Sequence, residues 1–292
     1  MISKMQWNKH IDSLKTESKI KDKKEIERTL RKLLLNSVEK NLPKKRFGIM
    51  FSGGLDSSLI ALLCKKLNAE FICYTVGFYD GNGNYPNDVV HAQKIAKKLK
   101  LNLKIKVYNL NEAEEIIRRA VEIVGLGRNN IYNIVNIGVG SVVYAASSIA
   151  KEDKIDTFFT GLGAEEIFAG YQKHLIAKDI DKECWLGLKE MYTRDFLRDD
   201  KLRKALRIKF ITPFLDACLI KYAMQIPSEY KINNEQKKII LREVAHKMGL
   251  YKKIAFRKKQ AAQYGSRFDK AISKLAKRNG FDKKKLWLKS LK

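Results

Sequence analysis

The chain has 292 residues and carries 59 Lys and Arg against 32 Asp and Glu, a formal charge of +27. That length suits one large domain or two small ones with a sizeable core, and no stretch reads as a membrane span or a signal peptide, so a cytoplasmic protein is expected. Cys64, Cys73, Cys184 and Cys218 are scattered without a C-x-x-C pair, and only four histidines are present, which argues against zinc and iron–sulfur sites.

Residues 1–45 form a polar, helical N-terminal extension in which Ile26, Leu30, Leu33, Leu34 and Val38 recur at helical spacing; Pro43 ends it. Strand and helix then alternate. Strands are predicted at Phe47–Phe51, Phe71–Val76, Leu103–Val107 and Thr157–Thr160. Helices are predicted at Leu55–Leu67, Asp88–Leu99, from a cap at Asn111 to Val124, and at Ile134–Ala150. This alternation implies an α/β fold, a parallel sheet with helices on both faces, over residues 46–172. From Tyr171 onward only helices are predicted: Lys182–Arg198, Phe214–Gln225, Glu235–Met248, Ser266–Arg278 and a short one near Leu286. Residues 173–292 thus read as an all-helical, basic C-terminal region. Cys64 and Cys218 have apolar neighbours and read as core positions, and His174 as a surface residue.

Ser52-Gly53-Gly54-Leu55-Asp56-Ser57-Ser58 joins the first strand to a helix. Unpaired N–H groups at a helix start, two glycines and three hydroxyls make an anion site. Asp56 would repel a bare anion, so a metal cation is expected between carboxylate and phosphate. No Gly-x-x-x-x-Gly-Lys-Ser/Thr is present, so this is a different phosphate loop from that of the P-loop NTPases. The string resembles the PP-loop of the ATP pyrophosphatases, whose fold is adenine nucleotide α-hydrolase-like and which cleave ATP between its α- and β-phosphates.

Five further blocks, in order, resemble the synthetase domain of asparagine synthetase and its relative β-lactam synthetase. They are Asp88-Val89-Val90-His91-Ala92-Gln93-Lys94-Ile95-Ala96; Thr160-Gly161-Leu162-Gly163-Ala164-Glu165-Glu166 with Ala169-Gly170-Tyr171; Pro213-Phe214-Leu215-Asp216; Lys238-Ile239-Ile240-Leu241-Arg242; and Arg257-Lys258-Lys259 with Gly265. The resemblance implies that Ser52, Gly53, Gly54, Ser57 and Ser58 hold ATP phosphates. It implies that Val76, Thr160 and Gly161 line the nucleotide pocket, and that Asp56 and Glu165 bind Mg²⁺. Lys259 would stabilise charge at the scissile phosphate, with Lys238 close to pyrophosphate. Asp216 reads as a helix-start carboxylate rather than a catalyst.

Three departures limit the resemblance. The family's glutaminase domain opens with a cysteine nucleophile, whereas this chain has Ile2 and about 45 residues before its first strand. Nitrogen is therefore expected from ammonia, a substrate amine or a separate glutaminase subunit. Leu162 stands where asparagine synthetase has Glu, and cannot act as a base. The family's Glu-x-Arg reads Lys209-Phe210-Ile211.

The expected activity is an AMP-forming amide or C–N ligase that adenylates an oxygen of a small acid. The alternative is a tRNA- or RNA-modifying enzyme adenylating a base carbonyl, and a second alternative is a degenerate, non-catalytic ATP-binding protein. RNA is suggested by charge: from Lys252 to Lys292 there are 15 Lys/Arg against Asp269 and Asp282, and a second basic run comprises Arg194, Arg198, Lys201, Arg203, Lys204, Arg207 and Lys209.

Overall fold

The computed structural model describes residues 2–16, 18–127, 132–257 and 261–291. Five strands, β1 (Phe47–Met50), β2 (Phe71–Phe78), β3 (Leu103–Tyr108), β4 (Thr157–Phe159) and β5 (Lys209–Ile211), form one sheet in the order β3-β2-β1-β4-β5. All pairs are parallel; Ile49 of β1 lies beside Cys73 of β2 and Phe159 of β4. The fold class is that expected. The chain first moves outward from β1 through β2 to β3, then returns to place β4 on the other side of β1. A crevice opens where the order reverses, beyond the carboxyl ends of β1 and β4.

The apolar strands β1 and β2 are buried because helices cover both faces. One core packs the helices Lys23–Glu39, Leu55–Lys66, Ala217–Gln225 and Ile239–Lys247 against the sheet; the other packs Leu110–Val124, Asn133–Lys151 and Phe268–Arg278. Edge strand β3 turns Lys104 and Lys106 to solvent, which discourages pairing with another chain.

Several local expectations change. The Leu110–Val124 helix is capped by Asn109, not Asn111, because Glu112 sits where it can return a bond to the Asn109 N–H and complete a capping box. Strand β5 lies within the region predicted to be purely helical. Three residues are too few to show a period, and β4 supplies their hydrogen-bonding partners. Cys64 is buried as expected, but Cys218 is exposed on the outer side of its helix. His174 is fully buried rather than on the surface; its Nδ1 accepts the Tyr171 N–H at 3.1 Å. The Asn133–Lys151 helix, with hydropathy 1.3, is long and apolar enough to cross a membrane, contrary to the sequence reading. It packs on the Leu110–Val124 helix and β2 and is mostly buried, as a core helix would be.

Asp216 caps the Ala217–Gln225 helix through the Leu219 N–H at 3.0 Å and pairs with Lys40. Asp216→Ala should cost about 1–2 kcal/mol in urea unfolding and leave nucleotide binding unchanged. Burial pushes the His174 imidazole down to about 4. The neutral ring is thus favoured in the folded chain, so its contribution is complete above the ordinary value near 6.5 and is lost as pH falls from there towards 4. A His174→Gln variant should show a flatter loss of stability across that window, measured as urea midpoint against pH.

Candidate active site

Beyond β1 the chain must turn sharply into the Leu55–Lys66 helix. Gly53 does this with φ +63°, and a side chain there would meet the Ala92 backbone nitrogen at 2.7 Å. Only glycine fits. Serines lock the turn: Ser57 Oγ accepts the Ser52 N–H at 3.3 Å, and Ser52 Oγ accepts the Gly54 N–H at 3.2 Å. Gly54 offers no side-chain cap, so the helix start keeps N–H groups for a ligand.

At the end of β4, Thr160 and Gly161 come against this loop, and a Cβ at Gly161 would lie 3.0 Å from that of Asp56. Gly163, at φ +99°, starts the helical turn Ala164–Ile167 that carries Glu165 and Glu166. Lys238 enters from the start of the Ile239–Lys247 helix in a left-handed conformation, φ +59°. Its buried ammonium donates to both Asp56 carboxylate oxygens at 2.8 Å and to Glu165 Oε1 at 2.5 Å. Burial lowers the Lys238 pKa, and Asp56 opposes the shift. Gly170 closes over the group: a Cβ there would collide with the Glu165 carboxylate and the Lys238 stem.

The two carboxylates fit Mg²⁺. Both are oxygen donors, both already converge on one cation, and Mg²⁺ commonly takes only one or two protein carboxylates with phosphate and water completing its shell. No cluster of three or more His, Cys, Asp or Glu suited to a metal occurs among the described residues.

A cavity of about 400 Å³ lies above this centre. Ser52, Gly54, Asp56, Ser57, Val76, Thr160, Gly161, Glu165 and Lys238 line it, which brings most of the predicted site residues together. Gly53 shapes the turn without lining the cavity. Ser58 faces the interior, fully buried, with no hydrogen bond to its Oγ, and is not placed to touch a ligand in the cavity. Lys259 lies outside the described residues.

The described chain up to Arg257 is held by two guanidinium groups. Arg242 Nη1 donates to the carbonyls of Ala255 at 2.6 Å and Arg257 at 2.9 Å, and its Nε to that of Lys237 at 2.6 Å. Arg257 in turn donates to the Gly53 carbonyl at 3.2 Å and faces buried Asp88 at 3.9 Å. Burial lowers the pKa of both guanidinium groups. Sequence reasoning found Arg242 and Arg257 as motif letters but not this clamp, because backbone carbonyl acceptors leave no mark in a sequence.

The cavity lining also carries a charged cluster whose arginines the sequence reading took only as part of a basic run. The chain from Ile180–Met191 passes through a π-helical turn, Tyr192–Phe196, into Leu197–Leu206. This turn aims Arg194 and Asp195 inward. Arg194 pairs with fully buried Glu166 and with Asp195 at 2.8 Å; Arg198 pairs with Asp199 at 2.7 Å and Asp195 at 3.3 Å. Tyr171 OH donates to Glu166 at 2.8 Å. Burial raises the Glu166 carboxyl, against the pull of Arg194. Arg203 and Lys204 likewise pair with Asp200. Much of the second basic run is therefore neutralised by its own neighbours, and the interleaved Asp195, Asp199 and Asp200 were the available signal.

Beside these polar groups the wall is apolar. It is formed by Leu162, Phe210 and the valines Val135, Val139, Val142 and Val143. Ile211 is buried in β5 and is not among the lining residues. The thiols of Cys64, Cys73 and Cys184 are buried and pushed upward by burial, Cys64 to about 12 and Cys184 to about 11, so none supplies a thiolate here. The arrangement can cradle a polyphosphate and neutralise it.

The chain matches the Asparagine synthase family model over residues 29–179 and 172–285. It is 32% identical over 301 aligned residues to a putative glutamine-hydrolysing asparagine synthetase 1 of Methanocaldococcus jannaschii, covering 90% of this chain and 53% of that protein. The Gallus gallus and Homo sapiens asparagine synthetases are 29% and 28% identical, covering 84% and 82% of this chain and 44% and 43% of theirs. The chain thus spans about half the length of the curated relatives it matches. Among solved structures, the U34-tRNA thiolase NcsA of Methanococcus maripaludis aligns at a TM-score of 0.40 with 16% identity, covering 90% of this chain and 79% of that one. On the family match and the archaeal relative, this chain belongs to the asparagine synthase family.

Proposed function

We propose that this chain is an AMP-forming, ATP-dependent ligase that activates an oxygen of a small acid for attack by nitrogen. The observation that carries the reading is the convergence of Asp56, Glu165 and Lys238 under the serine–glycine loop. Loop N–H groups and Ser52 and Ser57 hold the polyphosphate. Asp56 and Glu165 hold Mg²⁺, which when bound supplies charge neutralisation for the departing pyrophosphate. The acceptor oxygen forms a bond to the α-phosphorus as the bond to the β-phosphate oxygen breaks, and the electron pair leaves with pyrophosphate. Lys238 and Lys259 stabilise that charge. Ammonia or an amine then displaces AMP from the activated acceptor. The nitrogen comes from solution, from the substrate, or from a glutaminase partner.

Leu162 cannot move a proton, so the attacking nitrogen must arrive as a free base or lose its proton elsewhere. The apolar wall beside it favours an acceptor with a hydrocarbon body. Arg194, Arg198 and Glu166 in the same lining supply charge for polar groups on that acceptor.

ATP–pyrophosphate exchange tests the reading. Exchange should appear only with ATP, Mg²⁺ and an acceptor drawn from a panel of carboxylic acids. ATP binding without exchange across acids and RNA alike would favour a non-catalytic nucleotide-binding protein instead. Lys259→Ala should keep ATP binding in calorimetry and slow pyrophosphate release by roughly 10²–10³-fold; undiminished release would remove Lys259 from the site. Gly170→Ala should push a methyl into the Glu165–Lys238 pair and weaken Mg²⁺–ATP binding at least tenfold, about 1.4 kcal/mol. Tight binding in that variant would mean the pair does not hold the nucleotide.

A further inference from the structure

Two strongly basic stretches of the chain contain no acidic residue: 89–111, with six lysines, and 244–268, with seven lysines and arginines. At the chain's mean of 32 acids in 292 residues, these 48 positions would carry about five. The fold brings the two stretches together. The Ala262–Gly265 helix packs on the Asn87–Leu99 helix, and Lys98 Nζ sits 5.0 Å above the Tyr251 ring. Some of their cations are used structurally, as Lys104 is with Asp153 and Lys247 with Glu27. Lys94, Lys97, Lys98, Lys252 and Lys253 are exposed and form no ion pair with a described acid.

We infer that this joint face binds RNA and presents an unpaired loop of it to the mouth of the ATP cleft. The placement favours RNA in three ways. First, clustered, uncompensated lysines suit a phosphate backbone. Second, the exposed aromatic rings here are Tyr251, 48% exposed, and Tyr264, 56% exposed, beside the lysines. Tyrosine faces are platforms on which splayed bases stack. A membrane-inserting face would instead show leucine and phenylalanine. Third, the face leads into the cleft. Ala261, Ala262 and Gln263 line the cavity, and the Gly53 turn lies against His91 and Ala92. From Ala92 to Lys98 the helix advances about 9 Å, one or two nucleotide steps along a strand.

The face is independent of the proposed ligase activity; only the direction in which it leads the RNA rests on that reading. Binding and catalysis can therefore be scored separately. Anisotropy of a labelled stem-loop RNA with the intact chain should show binding that weakens steeply between about 50 and 200 mM salt. The variant Lys97→Glu/Lys98→Glu/Lys252→Glu/Lys253→Glu should bind at least tenfold more weakly and with a shallower salt slope. The variant Lys4→Glu/Lys9→Glu/Lys24→Glu/Lys32→Glu changes total charge equally but lies elsewhere, and should stay within about threefold of the parent. Tyr264→Ala should weaken the stem-loop while leaving a blunt RNA duplex unaffected. Mg²⁺–ATP binding retained by all variants verifies folding, and its failure in the parent would remove the ligase reading but not this one. No RNA binding at low salt, equal loss in both charge variants, or tighter face-dependent binding to anionic vesicles than to RNA would each overturn the inference.

Discussion

The Lys238 ammonium, seated between Asp56 and Glu165, is the contact on which the site depends. Asp56 comes from the helix after β1, Glu165 from the turn after β4, and Lys238 from a helix start far along the chain. One buried cation therefore ties both sides of the topological switch point to the C-terminal region. Isolated charges at this depth would be costly; paired, they hold the crevice in register. Gly161 and Gly170 are small because the group leaves no volume for a side chain, and Lys238 accepts a left-handed backbone to reach it.

From this centre the cavity divides in character. The side proposed to hold the nucleotide is built from backbone turns, serines and two carboxylates. The other side combines an apolar wall with the buried Glu166–Arg194–Asp195–Arg198 network. That side has Leu162 in place of an ionisable group. On the proposed reading, ATP handling can be shared with relatives while the acceptor differs, since different walls would recognise them.

Much of this was legible in sequence. A glycine pair between an apolar run and a helix can hardly be anything but a tight turn, and Gly53 meets the Ala92 backbone as such a turn requires. Regular alternation of strand and helix fixed the sheet from β1 to β4. Strand β5 was illegible because three residues carry no period. His174 was misread because a lone histidine between lysine and leucine looks solvated, whereas packing against Tyr171 decides its burial. The Arg194 network escaped because a π-helical turn shifts which side chains face inward, and helical spacing alone does not reveal that shift.

The central claim is which bond of ATP is broken. Phosphorus NMR of the products formed from ATP, Mg²⁺ and an acceptor that supports turnover decides it directly. The account predicts AMP and pyrophosphate in equal amounts. ADP and inorganic phosphate would contradict it, because the loop and the Asp56–Glu165 pair would then serve cleavage at the terminal phosphate.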